Sequence, residues 1–210
     1  MPEDESPAEA PAEEEPQEPA TEVKQERLEA NKGFSGEANE RELQELVANL
    51  STNILIIGAG GAGNNTLERL YREGIDGVEM LALNTDAQHL LAARVPHRML
   101  IGKQLTKGLG AGAEPHLGEG AAEEARDDLL NACHEADIVF LTGGLGGGTG
   151  TGALPVIARF AKEKQALTIA IVTLPFSNEG ARRAKNAQQG LERLRKVADT
   201  VIVIPNDKLL

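Results

Sequence analysis

The residues best placed to do chemistry are glycines. Gly58-Ala59-Gly60-Gly61-Ala62-Gly63-Asn64-Asn65 follows the apolar run 54–57 and matches G-x-G-x-x-G. That pattern lets backbone N–H groups approach a phosphate at a helix N-terminus. A tight strand-to-helix turn would use the same residues, so this segment decides little by itself. The segment 143–152, GGLGGGTGTG, follows the run 138–141 and holds seven glycines in ten residues. Glycine loses more chain entropy on folding than any other residue, and a turn needs only one or two. The excess predicts a loop that wraps an anion, with the Thr149 and Thr151 hydroxyls as further donors or helix caps. Pro155 stands early in the helix expected next, where a missing N–H is tolerated. A third segment, 107–113 (KGLGAGA), could close over the ligand. Three such segments at strand ends suggest one polyphosphate held mainly by backbone amides.

Several chemistries are absent. No G-x-x-x-x-G-K-[ST] occurs, which excludes a P-loop NTPase, and neither a kinase signature nor a G-x-S-x-G nucleophile elbow is found. A dehydrogenase-type dinucleotide site would explain the first glycine segment, with Asp86 as its ribose acid, but not the richer second one. Asp86 has two further readings, contact with Mg²⁺ through water or capping of the helix after it. Cys133-His134 could ligate a metal, yet no other histidine lies at ligand spacing, and no metal site is expected. Arg182, Arg183 and Lys185 could attract phosphate or simply solvate a helix face.

The elements that must position these residues are legible in outline. Apolar runs at 54–57, 80–83, 99–101, 138–141, 167–172 and 201–204 are nearly continuous rather than alternating. That pattern fits parallel strands covered on both faces. Helices are expected at about 38–50, 64–73, 86–92, 117–133, 151–163 and 180–197. Strands alternating with helices predict an α/β fold, a doubly wound and mainly parallel sheet that binds ligands at the carboxyl ends of its strands.

Charge divides the 210-residue chain. Of its net −12, nine charges come from residues 1–22, which contain no base and half of the ten prolines. Residues 1–35 are read as a disordered acidic tail and 36–210 as the folded domain. The acidic balance argues against nucleic acid as a partner. The single cysteine excludes an internal disulfide and suits a reducing compartment. No apolar run reaches 18 residues, so no direct membrane insertion is expected.

Residues 146–152, GGGTGTG, carry the signature of the tubulin/FtsZ family. The match extends over roughly 50–210 through GAGGAGNN, the NTDA at 84–87, KGLGAGAEP, the TLPF at 173–176 with Glu179 and Arg183, and the PNDKL at 205–209. The chain resembles the family's GTP-binding domain, archaeal versions of FtsZ most of all. The resemblance implies GTP or GDP as ligand, with Mg²⁺ accompanying the triphosphate. Gly61, Ala62, Gly63, Asn64 and Asn65 would form the first phosphate and nucleoside loop. Asn65 and Asn206 would read guanine, and Ala111 and Gly112 would line the γ-phosphate end. Gly148, Thr149 and Gly150 would hold the phosphates, and Glu179 and Arg183 would reach the ribose. It further implies a self-assembling GTPase of the division ring, cytoplasmic at the division site, with head-to-tail copies of itself and membrane-anchoring proteins as partners. The family's hydrolytic acids follow the segment at 206–210, so this chain is expected to be a fragment without catalytic residues of its own. The alternatives are an NAD(P)-binding oxidoreductase domain and a non-hydrolysing relative that regulates or scaffolds.

Overall fold

The computed structural model describes residues 40–43 and 52–208. The expected tail at 1–35 lies outside the described residues. Of the helix expected at 38–50, only 40–43 are described, as one exposed helical turn. The unit that begins at Thr52 is described by itself below.

Six strands form one sheet: β1 (Ile54–Ala59), β2 (Val78–Asn84), β3 (His97–Leu100), β4 (Ile138–Gly144), β5 (Leu167–Leu174) and β6 (Thr200–Pro205). Their order is β3-β2-β1-β4-β5-β6, and every pair is parallel. Helices cover both faces. Leu55, Ile57, Leu81, Leu83, Val139 and Leu141 point to one core, shared with α3 (Pro115–Glu124), α4 (Arg126–Ala132), α5 (Thr149–Glu163) and α6 (Ala181–Val197). Met80 and Ala82, with Ile56 partly buried, face the opposite core, under α1 (Gly60–Glu73) and α2 (Ala87–Ala92). Burial on both faces is the physical reason the strand segments read as unbroken apolar runs. The expected doubly wound α/β fold is observed, with a sheet that is wholly parallel.

Three local expectations need revision. Both glycine segments enter helices sooner than expected: α1 starts at Gly60 and α5 at Thr149, so much of each run is first-turn helix rather than loop. The stretch 117–133 is two helices, because Ala125 leaves helical geometry (φ −95°, ψ 21°). The flanking side chains have separate anchors. Glu124 accepts from the backbone N–H groups of Gln104 and Leu105 (3.0 and 3.1 Å), and the Arg126 guanidinium lies 4.9 Å from the Phe160 ring centre. Pro155 is the seventh residue of α5, beyond the first turn, so its missing N–H leaves the Thr151 carbonyl without its helical donor.

Close packing in the α3/α5 layer depends on glycine. A Cβ on Gly152 would stand 1.9 Å from the Pro115 carbonyl oxygen and 2.5 Å from the Glu119 nitrogen, both backbone atoms. Gly152→Ala is therefore expected to destabilise the domain by about 1–3 kcal/mol, the usual cost of overpacking. Alanine's advantage in helix propensity, about 1 kcal/mol, does not reverse the sign. Urea unfolding monitored by circular dichroism measures the difference. Cys133 is fully buried, and burial pushes its thiol up to about 11, with Lys164 offsetting part of the rise. It is expected to resist thiol reagents at neutral pH until the domain unfolds, which labelling with and without denaturant checks.

Candidate functional site

The carboxyl ends of the strands form one edge, and the sheet order changes direction there, between β1 and β4. The register sets Ala59 beside Gly143, Gly144 beside Thr173 and Leu174 beside Pro205. The segments that leave β1, β4, β5 and β6 therefore open side by side. They line a cleft of about 320 Å³: Gly60–Ala62 after β1, Gly147–Gly150 after β4, Thr173–Pro175 with Glu179 and Arg183 from β5 onward, and Asn206 after β6. From β1 to β6 is three strand spacings, roughly 14 Å, which suits an elongated ligand.

At the β1/β4 end two helix N-termini meet. A Cβ on Gly60 would stand 3.2 Å from the backbone nitrogen of Gly150. Neither α1 nor α5 has a side-chain cap, and neither carries an acid in its first turn. Each leaves N–H groups without helical partners and the positive end of its macrodipole facing the cleft. Such an arrangement of backbone is suited to an anion.

Most of the glycines in the two runs serve backbone contact. A Cβ on Gly58 would meet the Gly63 carbonyl oxygen at 2.6 Å, and one on Gly63 the Thr142 oxygen at 2.5 Å, so this pair lets α1 lie against β1 and β4. A Cβ on Gly150 would meet the Gly144 oxygen at 2.7 Å, and one on Gly148 the Ala111 Cβ at 2.7 Å. The excess of glycine that predicted anion wrapping is thus largely a packing requirement. Gly147 differs: a Cβ there would meet nothing within 4 Å, and the residue faces the cleft.

The predicted residues separate into two groups. Gly61, Ala62, Gly148, Thr149, Gly150, Glu179, Arg183 and Asn206 line the cleft. Gly63, Asn64, Asn65, Asp86, Ala111 and Gly112 do not. Asn64 is fully buried. With its amide set to satisfy its neighbours, its nitrogen lies 3.0, 3.2 and 3.1 Å from the carbonyl oxygens of Gly58, Gly60 and Leu83, and its oxygen accepts from Asn84 Nδ2. It fastens the turn to β2. Asn65 is exposed on α1. The carboxylate of Asp86 accepts from the backbone N–H of His89 (3.0 Å) and so caps α2. Ala111 is buried against Gly148, and Gly112 is exposed beside it. The two threonines brace the second run instead of capping it. Thr149 Oγ1 pairs with Thr85 Oγ1 (2.7 Å), and Thr151 Oγ1 accepts from the Gly146 N–H (2.8 Å).

Glu179 and Arg183 form an ion pair one helical turn apart, and the other Glu179 oxygen accepts from the Phe176 N–H (2.8 Å). Glu179 is the one carboxylate among the cleft's lining residues, and it is engaged on both oxygens. Among the described residues no group of three or more His, Cys, Asp and Glu is placed to hold a metal ion. Residue-by-residue reading missed Gly60, Gly144, Gly147 and Thr173–Pro175 as cleft-lining positions, although each stands inside a motif already singled out.

Comparison with known proteins agrees with this geometry. Residues 53–210 match the family described as Tubulin/FtsZ family, GTPase domain. The chain is 57% identical over 187 residues to "Cell division protein FtsZ 1" of Archaeoglobus fulgidus, covering 89% of this chain and 50% of that one. Among solved structures, the empty FtsZ dimer from M. jannaschii superposes with a TM-score of 0.77 at 51% identity, covering 81% of this chain and 50% of the other. The GTPγS-bound protofilament of CetZ2 from Haloferax volcanii gives 0.68 at 30% identity, covering 74% and 50%. The chain spans about half the length of the curated relatives it matches.

Gly147→Ala separates the two uses of glycine. It is expected to leave the thermal midpoint nearly unchanged and to weaken nucleotide binding by about tenfold or more, through a methyl group placed in the cleft. Thermal unfolding and titration calorimetry on the same variant test both halves.

Proposed function

The chain belongs to the tubulin/FtsZ family, and on that premise we propose that residues 52–208 bind GTP and GDP in the cleft at the strand ends. The observation that carries the reading is the meeting of two uncapped helix N-termini in one cleft, with Gly147 open to it. The phosphates lie over Gly60–Ala62 and Gly147–Gly150, where backbone N–H groups and helix dipoles converge. The nucleoside extends toward β6. Arg183 and Glu179 reach the ribose, and Asn206, which offers a donor and an acceptor on one amide, reads the guanine edge. Asn65 helps from α1. Gly63 and Asn64 act by holding the turn, and Ala111 and Gly112 border the phosphate end. Mg²⁺ arrives with the triphosphate. Asp86 lies outside the cleft lining, and with one oxygen already capping α2 it suits a contact through water better than direct ligation.

The reaction of the whole protein is transfer of the γ-phosphoryl group to water, and these residues supply binding and electrostatic positioning for it. The group that orients the water comes from outside the cleft, because Glu179, the one carboxylate that lines it, is taken up at the ribose. This fits a self-assembling division protein in which a neighbouring copy completes each site. The dimer and the protofilament named for relatives support head-to-tail assembly with itself, a contact that propagates instead of closing. Among the described residues no helix is long and apolar enough to cross a membrane, which suits a protein that works at the cytoplasmic side of the division site through anchoring partners.

Calorimetry with GTP, GDP, ATP and NADH in the presence of Mg²⁺ tests the assignment. Preference for GTP and GDP is the expected outcome, and preference for NADH would sink it in favour of a dinucleotide oxidoreductase. Phosphate release from GTP by the 210-residue chain alone is expected at background. Turnover by the isolated chain would mean that the cleft holds its own water-orienting group.

A further inference from the structure

We propose that Asn186, on the cleft-facing turns of α6, is a positioning residue that holds the 107–113 segment against the phosphate end of the site. The inference rests on the nucleotide reading above. Residues 107–113 come from the β3 side of the sheet and end against the second glycine run. A Cβ on Gly148 would touch the Cβ of Ala111 at 2.7 Å and lie 2.9 Å from its carbonyl oxygen. Five of these seven residues (Lys107, Gly108, Gly110, Gly112 and Ala113) have positive φ, and two of the five carry a Cβ. A residue with a Cβ holds that geometry where its surroundings impose it.

At the front of the segment the surroundings are backbone. Ala87 donates to the Gly108 carbonyl (3.0 Å), and Gly110 donates to the Thr85 carbonyl (3.1 Å). At the back, where Ala113 sits at φ +62°, the tie is a side chain. Asn186 Nδ2 donates to the Ala113 carbonyl at 3.1 Å and lies 3.4 Å from the Gly146 carbonyl. One part-buried amide therefore bridges the third glycine segment to the second. Arg182 and Glu114 form an ion pair across the same gap, but both side chains are largely exposed, and exposed pairs contribute little. Asn186 makes no contact with the lining residues through its amide except by way of Gly146 and Ala113. It acts through the loops that flank the phosphates, so its loss should be felt in proportion to the number of phosphates bound.

The test compares GTP and GDP binding in the full 210-residue chain and in Asn186→Ala. Affinity for GTP is expected to fall about tenfold, the order expected for one lost bridging amide, while GDP stays within about twofold. Asn186→Asp keeps the shape but removes both donors, and it should behave like Asn186→Ala. Arg182→Ala should change the GTP-to-GDP ratio by less than about twofold. An equal loss for both nucleotides in Asn186→Ala, or no loss, would overturn the positioning role and leave the nucleotide assignment standing. A parent chain that binds neither nucleotide would overturn that assignment instead. Amide hydrogen exchange needs no ligand and tests the tie directly. Exchange at Gly110 and Glu114 should quicken in Asn186→Ala with the Gly58–Gly63 turn unchanged, and unchanged exchange at both sites would refute the tie.

Discussion

The arrangement depends on how closely the backbone of α1 approaches the backbone of α5. Gly60 and Gly150 are separated by so little that a side chain on the first would press on the amide nitrogen of the second. Gly150 is in turn pressed against the Gly144 carbonyl at the end of β4. Each helix N-terminus behaves as about half a positive charge. Two such ends, side by side with no capping side chain and no acid in either first turn, repel one another until an anion lies between them. The site is thus defined by an electrostatic demand of the main chain, and its side chains refine what the backbone already selects.

The sheet order converts that demand into a site with direction. Because β1 and β4 are neighbours and β5 and β6 follow on one side, the uncapped helix starts at Gly60 and Thr149 lie at one end of the cleft and Asn206 at the other. The glycines then divide between two tasks. Gly58, Gly63, Gly148, Gly150 and Gly152 bring backbone to backbone, where a Cβ would collide. Gly147 leaves the cleft open. A substitution at the first kind acts on folding and one at the second on binding, although the sequence writes both with the same letter.

That ambiguity sets how much could be read in advance. The six strands and the two-sided sheet were legible because burial on both faces leaves unbroken apolar runs such as 54–57 and 138–141. The helix starts at Gly60 and Thr149 were not, since glycine inside a helix reads as loop until the partner backbone that requires it is known. The break at Ala125 carries no proline or glycine, and the contacts beside it are long-range: Glu124 is engaged by residues 104–105 and Arg126 lies over Phe160. The cleft itself was legible through motifs, which is why eight of the fourteen predicted site residues line it. Asn64 shows the limit. Its type is right for reading a base, and only the position of β2 reveals that its amide is spent on Gly58, Gly60 and Leu83.

The charges at the start of α6 run against the helix that carries them. Cations are favoured at helix C-termini, yet Arg182 and Arg183 stand in the first turn of α6, which has no acid of its own there. Each is matched from outside the helix, Arg183 by Glu179 just before it and Arg182 by Glu114 at the N-cap of α3. Both pairs are exposed, so neither offsets the unfavourable dipole by much in isolation. What they share is position: Glu179 and Arg183 line the cleft, whereas Glu114 directly follows the 107–113 segment. The first turns of α6 therefore meet the cleft through Arg183 and the neighbouring residues Ala113 and Glu114 through Asn186 and Arg182. The start of this helix is therefore accounted for better by its place beside the cleft than by the stability of the helix itself.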